Sequence, residues 1–87
     1  MDIKSLKRYV EESGVHARLL GAYDGPYALG IGTSPEDPQE LVLVLRVAGF
    51  PPAGQFPPSI ELGSGRERER VLVDLRPGYV EPVFHAL

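Results

Sequence analysis

Apolar residues fall in short clusters along this chain, and one of them sets the pattern for the rest. Residues Leu41–Val47 read Leu-Val-Leu-Val-Leu-Arg-Val, apolar at both parities and bounded by Pro38 and Gly49. A half-exposed strand alternates apolar with polar, so this run predicts a strand buried on both faces in the middle of a sheet. Its Val content, its shortness and its Pro and Gly flanks favour a strand over a buried helix segment.

Other stretches alternate. In Tyr27–Thr33, Tyr27, Leu29 and Ile31 fall on one side and Ala28, Gly30 and Gly32 on the other. That predicts a strand with one smooth face, which the N-terminal helix, another strand, or a ligand or partner backbone can approach closely. Residues 33–40 are polar and connect it to the central strand as an antiparallel hairpin. Residues 15–22 read as a first strand, with Val15, Ala17 and Leu19 opposite His16, Arg18 and Leu20. Ser59–Leu62 is a short strand. The run Arg66-Glu67-Arg68-Glu69-Arg70 leads into a half-exposed strand, Val71, Val73 and Leu75 alternating with Leu72 and Asp74. Residues 80–87 read as a last strand, which Pro82 confines to an edge or a bulge.

Residues 2–13 predict a helix, with Asp2 as N-cap, Ile3, Leu6, Tyr9 and Val10 on one side and Gly14 as its stop. Over that span Lys4, Lys7 and Arg8 come early and Glu11 and Glu12 late, against the helix dipole, so packing on a sheet must hold it. The sum is a single small α+β domain spanning 1–87, its N-terminal helix packed on a mostly antiparallel sheet or small open barrel of about five to six strands.

Composition narrows the function. The chain has 87 residues, net charge −3, no Cys and two His, which argues against a closed zinc site and against the broad positive field of non-specific nucleic-acid binders. No run approaches the length of a membrane span and no signal-peptide pattern opens the chain, so a cytoplasmic, membrane-free protein is expected. Gly and Pro are frequent, Asn is absent, and the basic residues are mostly Arg, which fits a GC-rich or thermophilic source.

Candidate chemistry is sparse. Gly30-Ile31-Gly32 and Gly63-Ser64-Gly65 each begin a phosphate loop and neither completes one, so no cofactor is expected. His16 and His85, with Asp24, Ser34 or Ser59, form no recognisable triad motif, and structural histidines are the expectation. Glu36, Asp37 and Glu40 lack the spacing of a calcium loop and predict a solvated acidic loop. If the strand extends back to residue 66, Arg66, Arg68 and Arg70 share one face. They are then either an anion-binding ladder or a solubilising edge that discourages aggregation.

The doublet Phe50-Pro51-Pro52 and Phe56-Pro57-Pro58 is the sharper feature. Prolines make this a stiff surface loop, and Phe50 and Phe56 either anchor a partner with little entropy lost or fold inward over the core.

The order of a short helix, the Gly30-x-Gly32 strand, Leu41–Val47 and the Pro-Pro-x-Ile segment at 57–60 loosely resembles small accessory domains attached to some bacterial peptidases, over about half the chain. No catalytic residue of such a peptidase is present, and the Phe-Pro-Pro doublet departs from the pattern. These readings predict a non-enzymatic accessory or protein-protein interaction module, with a homodimer as one form. Its partner-binding residues are Phe50, Pro51, Pro52, Phe56, Pro57 and Pro58. The alternative is a small β-rich ligand or nucleic-acid binder using Arg66, Arg68 and Arg70.

Overall fold

The computed structural model describes residues 2–51 and 54–80. It is α+β, with two short helices on a four-stranded open sheet: α1 (Ile3–Val10), α2 (Ser13–Leu20), β1 (Tyr27–Thr33), β2 (Leu41–Val47), β3 (Ser59–Leu62) and β4 (Glu69–Arg76). The strand order is β1-β2-β4-β3, with β1–β2 and β3–β4 antiparallel and the central β2–β4 pair parallel. Of the two expected forms, a sheet or a small open barrel, the described residues form the open sheet, mixed through its parallel central pair, and they hold four strands, fewer than the five to six expected. The proposed last strand lies almost wholly outside the described residues, and Val80, its one described member, is in no strand.

α1 begins where the sequence places it. The Asp2 carboxylate accepts the backbone N–H of Ser5 at 2.8 Å, a capping bond that closes one of the open donors of the first turn. It ends earlier than expected, at Val10, which moves Lys7 and Arg8 into the last turn where positive charge suits the dipole. The expected opposition between charge and dipole is thus reduced to Lys4 in the first turn and Glu11 at the C-cap. Gly14 is not the stop: the chain turns at Glu11 and Glu12, and Gly14 lies in the first turn of α2.

The Ser5 backbone N–H, then its side chain, holds the Asp2 carboxyl below its ordinary value, with the N-terminal charge and Arg8 adding to the effect. A carboxyl depressed by folding contributes stability above its ordinary pKa and loses it as pH falls through the lower, folded value. Helical circular dichroism or the Asp2 carboxyl NMR shift should therefore titrate below the usual aspartate range. Asp2→Asn should keep the cap and lose the titration; an unshifted midpoint would contradict the bond.

Of the segment at 15–22, expected as a strand, residues 15–20 belong to α2 and residues 21–22 to the turn after it. Val15 and Leu19, four residues apart, both sit in the core, and Gly21 ends the helix at φ 57 with its N–H on the Ala17 carbonyl. Both helices cover the same face of the sheet. Leu6, Val15 and Leu19 meet Leu43, Ile60, Leu62 and Val71, with Leu29, Ile31 and Val73 packed against them. β2 is thus the spine of the core, as its composition requires, and it lies between β1 and β4.

The smooth face of β1 is not where α1 packs, because Leu29 and Ile31 take that role. Gly30 and Gly32 instead share the opposite face with Val44 and Val42, their register partners. A Cβ on Gly32 would lie 2.8 Å from Val44 Cγ2, while one on Gly30 would meet nothing within 4 Å. Val is stiff at χ1 and cannot easily swing away. Gly32→Ala should therefore cost about 1–3 kcal/mol through overpacking, and Gly30→Ala should be neutral or mildly stabilising in urea unfolding. Equal effects at both positions would contradict this packing.

Candidate interaction surfaces

The two Phe-Pro-Pro copies have opposite fates. Phe56 is buried against Leu45 and Val47 and meets Tyr23 edge-on, with centroids 5.5 Å apart and planes at 71°. Tyr23 is itself fixed, its hydroxyl donating to the Pro26 carbonyl at 2.6 Å and accepting the Ala48 N–H at 3.2 Å. Phe50 points the other way and is 86% exposed. It follows Gly49, whose positive φ of 70 turns the chain out of β2. Hydrogen bonds from Gly78 N–H to the Gly49 carbonyl and from Tyr79 N–H to the Val47 carbonyl, both 2.9 Å, bring the segment bearing Val80 alongside. Val80 is 82% exposed, so two apolar side chains project at this end of the sheet. Pro51 and Pro57 are half-buried, and Pro58 is exposed with its carbonyl accepting Val73 N–H at 2.9 Å. Pro52 lies outside the described residues. The two rings, expected either both to anchor a partner or both to fold inward, divide: Phe56 is buried and Phe50 is exposed.

The arginine ladder is not formed as expected. Arg66 lies in a 3-10 turn (Gly65–Glu67), Arg68 links that turn to β4, and only Arg70 is in the strand. Gly63 at φ 96 makes the turn possible: a Cβ there would be 2.5 Å from the Glu67 carbonyl oxygen. Glu61 lies beside two of these arginines instead. Its carboxylate is 3.6 Å from Arg68 and its residue is the register partner of Arg70, while its carbonyl accepts Arg18 Nη2 at 2.8 Å. A carboxylate among these arginines lowers the local field available to an anion.

His16 has both ring nitrogens engaged, Nε2 with the Val10 carbonyl and Nδ1 with the Tyr27 hydroxyl at 2.8 Å. A carbonyl only accepts, so Nε2 carries a proton and, in the neutral ring, Nδ1 accepts from Tyr27. The ring ties α2 to α1 and β1. His85 lies outside the described residues. Ser34 Oγ accepts Glu36 N–H at 3.3 Å and Asp37 Oδ1 accepts Gln39 N–H at 2.9 Å, so both serve the turn between β1 and β2. No group of three or more His, Cys, Asp or Glu that could hold a metal occurs among the described residues. Gly30-Ile31-Gly32 lies inside a strand paired along its length, which is not the geometry of a phosphate loop. No helix of the described residues is long and apolar enough to cross a membrane.

The sheet edges differ in a way the sequence pattern had not suggested. At the β3 edge the strand has four residues, follows Pro57 and Pro58, carries Glu61, and has an outward carbonyl capped by Arg18. Shortness, charge and proline are the usual protections of an edge. β1 has seven residues with no charge and no proline. Ser34 N–H donates to the Glu40 carbonyl at 2.9 Å, so the even-numbered residues of this hairpin face β2 and the odd ones face outward. Val47 confirms the parity, since its carbonyl faces the β4 side to accept Tyr79 N–H. The backbone groups of Tyr27, Leu29, Ile31 and Thr33 therefore line the edge, with no hydrogen-bond partner among the described residues. A charge-free seven-residue run beginning after Pro26 was the signal available in the sequence.

No family model, curated protein or solved structure matches this chain.

Proposed function

We propose that the chain is a non-enzymatic interaction module that docks a protein through the end of the sheet bearing Phe50. The observation that carries this is the contrast within the doublet: Phe56 serves the core, while Phe50, 86% exposed, contributes nothing to it. Large apolar groups held out on a proline-stiffened backbone lose little entropy on docking. The separate placement of Arg66, Arg68 and Arg70, two of them beside Glu61, favours this reading over an anion-binding ladder.

The test is site-specific photocrosslinking with a benzoylphenylalanine at position 50, and in parallel at the exposed position 66, in cells of the source. A discrete protein adduct at 50 and none at 66 is expected. Identical patterns at the two positions, or no adduct, would overturn the reading.

A further inference from the structure

We propose that a second copy of this chain pairs with β1, antiparallel, about a two-fold axis through Gly30. The proposal shares with the reading above the idea of an interaction module, and adds a different surface, a partner and a register. Three observations carry it: β1 is a long, uncharged edge, its outward groups have no partner among the described residues, and the opposite edge of the same sheet is protected.

The register follows from the parity. Only outward residues can exchange hydrogen bonds, so odd residues must face odd residues across the axis. Centring on Gly30 sets Tyr27 opposite Thr33 and Leu29 opposite Ile31, and the reverse, in both copies. Every outward N–H and C=O of Tyr27, Leu29, Ile31 and Thr33 is then satisfied at once. Leu29 and Ile31 become cross-strand neighbours on the helix-covered face, and apolar pairs of that kind stabilise sheets.

Gly30 meets its own copy as a non-hydrogen-bonded pair, where backbones approach most closely, at about 4.5 Å between Cα atoms. Its lack of a side chain suits that position, and Ala28 and Gly32 flank it with little bulk. Counting the described residues, the product is a continuous sheet of eight strands, twice the four of one copy, with their helices on one side. Its remaining edges are the two protected β3 strands, so pairing stops at two.

The test uses the absence of native Cys, which makes any disulfide in a single-Cys variant intermolecular. Gly30→Cys should cross-link readily under mild oxidation, because that close pair falls within the roughly 4.4–6.8 Å range of disulfide Cα separations. Ala28→Cys should not, since its own copy lies about 13 Å away along the strand. Gly30→Lys opposes two charges at the axis and should raise the dimer dissociation constant at least tenfold by light scattering, with Gly30→Ala close to wild type. Circular dichroism and thermal melting check that each variant is folded, and the cross-linking pair stands even if Gly30→Lys is not.

A wild-type chain that stays monomeric at millimolar concentration overturns the proposal and leaves a position-50 adduct with a foreign protein intact. A dimer that Gly30→Lys does not weaken, or in which Ala28→Cys cross-links as fast as Gly30→Cys, also overturns it. If Phe50→Ser dissolves that dimer, self-association belongs to the Phe50 end.

Discussion

Phe56→Ala is expected to lower the unfolding free energy by about 3–5 kcal/mol, the usual cost of emptying a buried phenylalanine site. Phe50→Ala, at the same place in an identical tripeptide, should change it by no more than about 0.5 kcal/mol. The difference lies entirely in packing. The Phe56 ring fills the space between Leu45, Val47 and the edge of Tyr23, while Phe50 is 86% exposed. Tyr23 cannot follow a shrinking neighbour inward, because its hydroxyl is held by Pro26 and Ala48. The site therefore collapses poorly and the cavity persists. Urea unfolding followed by circular dichroism should show a large fall in midpoint for Phe56→Ala alone; matching midpoints for the two variants would contradict the described loop.

Leu43→Ala should cost about 2–5 kcal/mol, a large share of the roughly 5–15 kcal/mol that holds small domains together. Leu43 is wholly buried at the centre of β2, where α1, α2, β3 and β4 all contribute to one cluster. Its removal opens contacts on every side of that cluster. Leu72, in contrast, is 42% exposed on β4, and Leu72→Ala should shift the midpoint only slightly. Combining Leu43→Ala with Phe56→Ala should leave little folded protein without a stabilising partner. A Leu43→Ala chain as stable as wild type would show that β2 is not the spine of the core.

Local pattern carried much of this architecture. Leu41–Val47, Tyr27–Thr33 and Ser59–Leu62 are strands with the bounds their sequences suggest, and Asp2 caps α1. The segment at α2 was ambiguous for a physical reason: Val15, Ala17 and Leu19 satisfy a period of two, while Val15 and Leu19 also fit one helical turn. Tertiary packing against β2 decides between the periods. Alternating Arg and Glu at 66–70 imitated a strand, but positive φ at Gly63 and Gly65 winds the chain into a turn first. The parallel β2–β4 pairing depends on where a long connection returns, which no local window contains. The fates of Phe50 and Phe56 were equally invisible, because their neighbours Pro-Pro are the same. The unprotected β1 edge was legible only as missing charge, and becomes a surface once the hydrogen-bond parity is known.

Both functional inferences describe a domain that works by presenting surface to protein, at the Phe50 end and along β1. The most direct measurement of that association is an amide NMR dilution series with hydrogen exchange on the wild-type chain. As concentration rises, the outward amides of Tyr27, Leu29, Ile31 and Thr33 should shift and become protected, while those of Ala28, Gly30 and Gly32, already bonded to β2, change protection little. If no amide shifts and Leu29 and Ile31 exchange as freely in concentrated solution as in dilute, the chain does not pair with itself, and the account of β1 as an association edge is wrong.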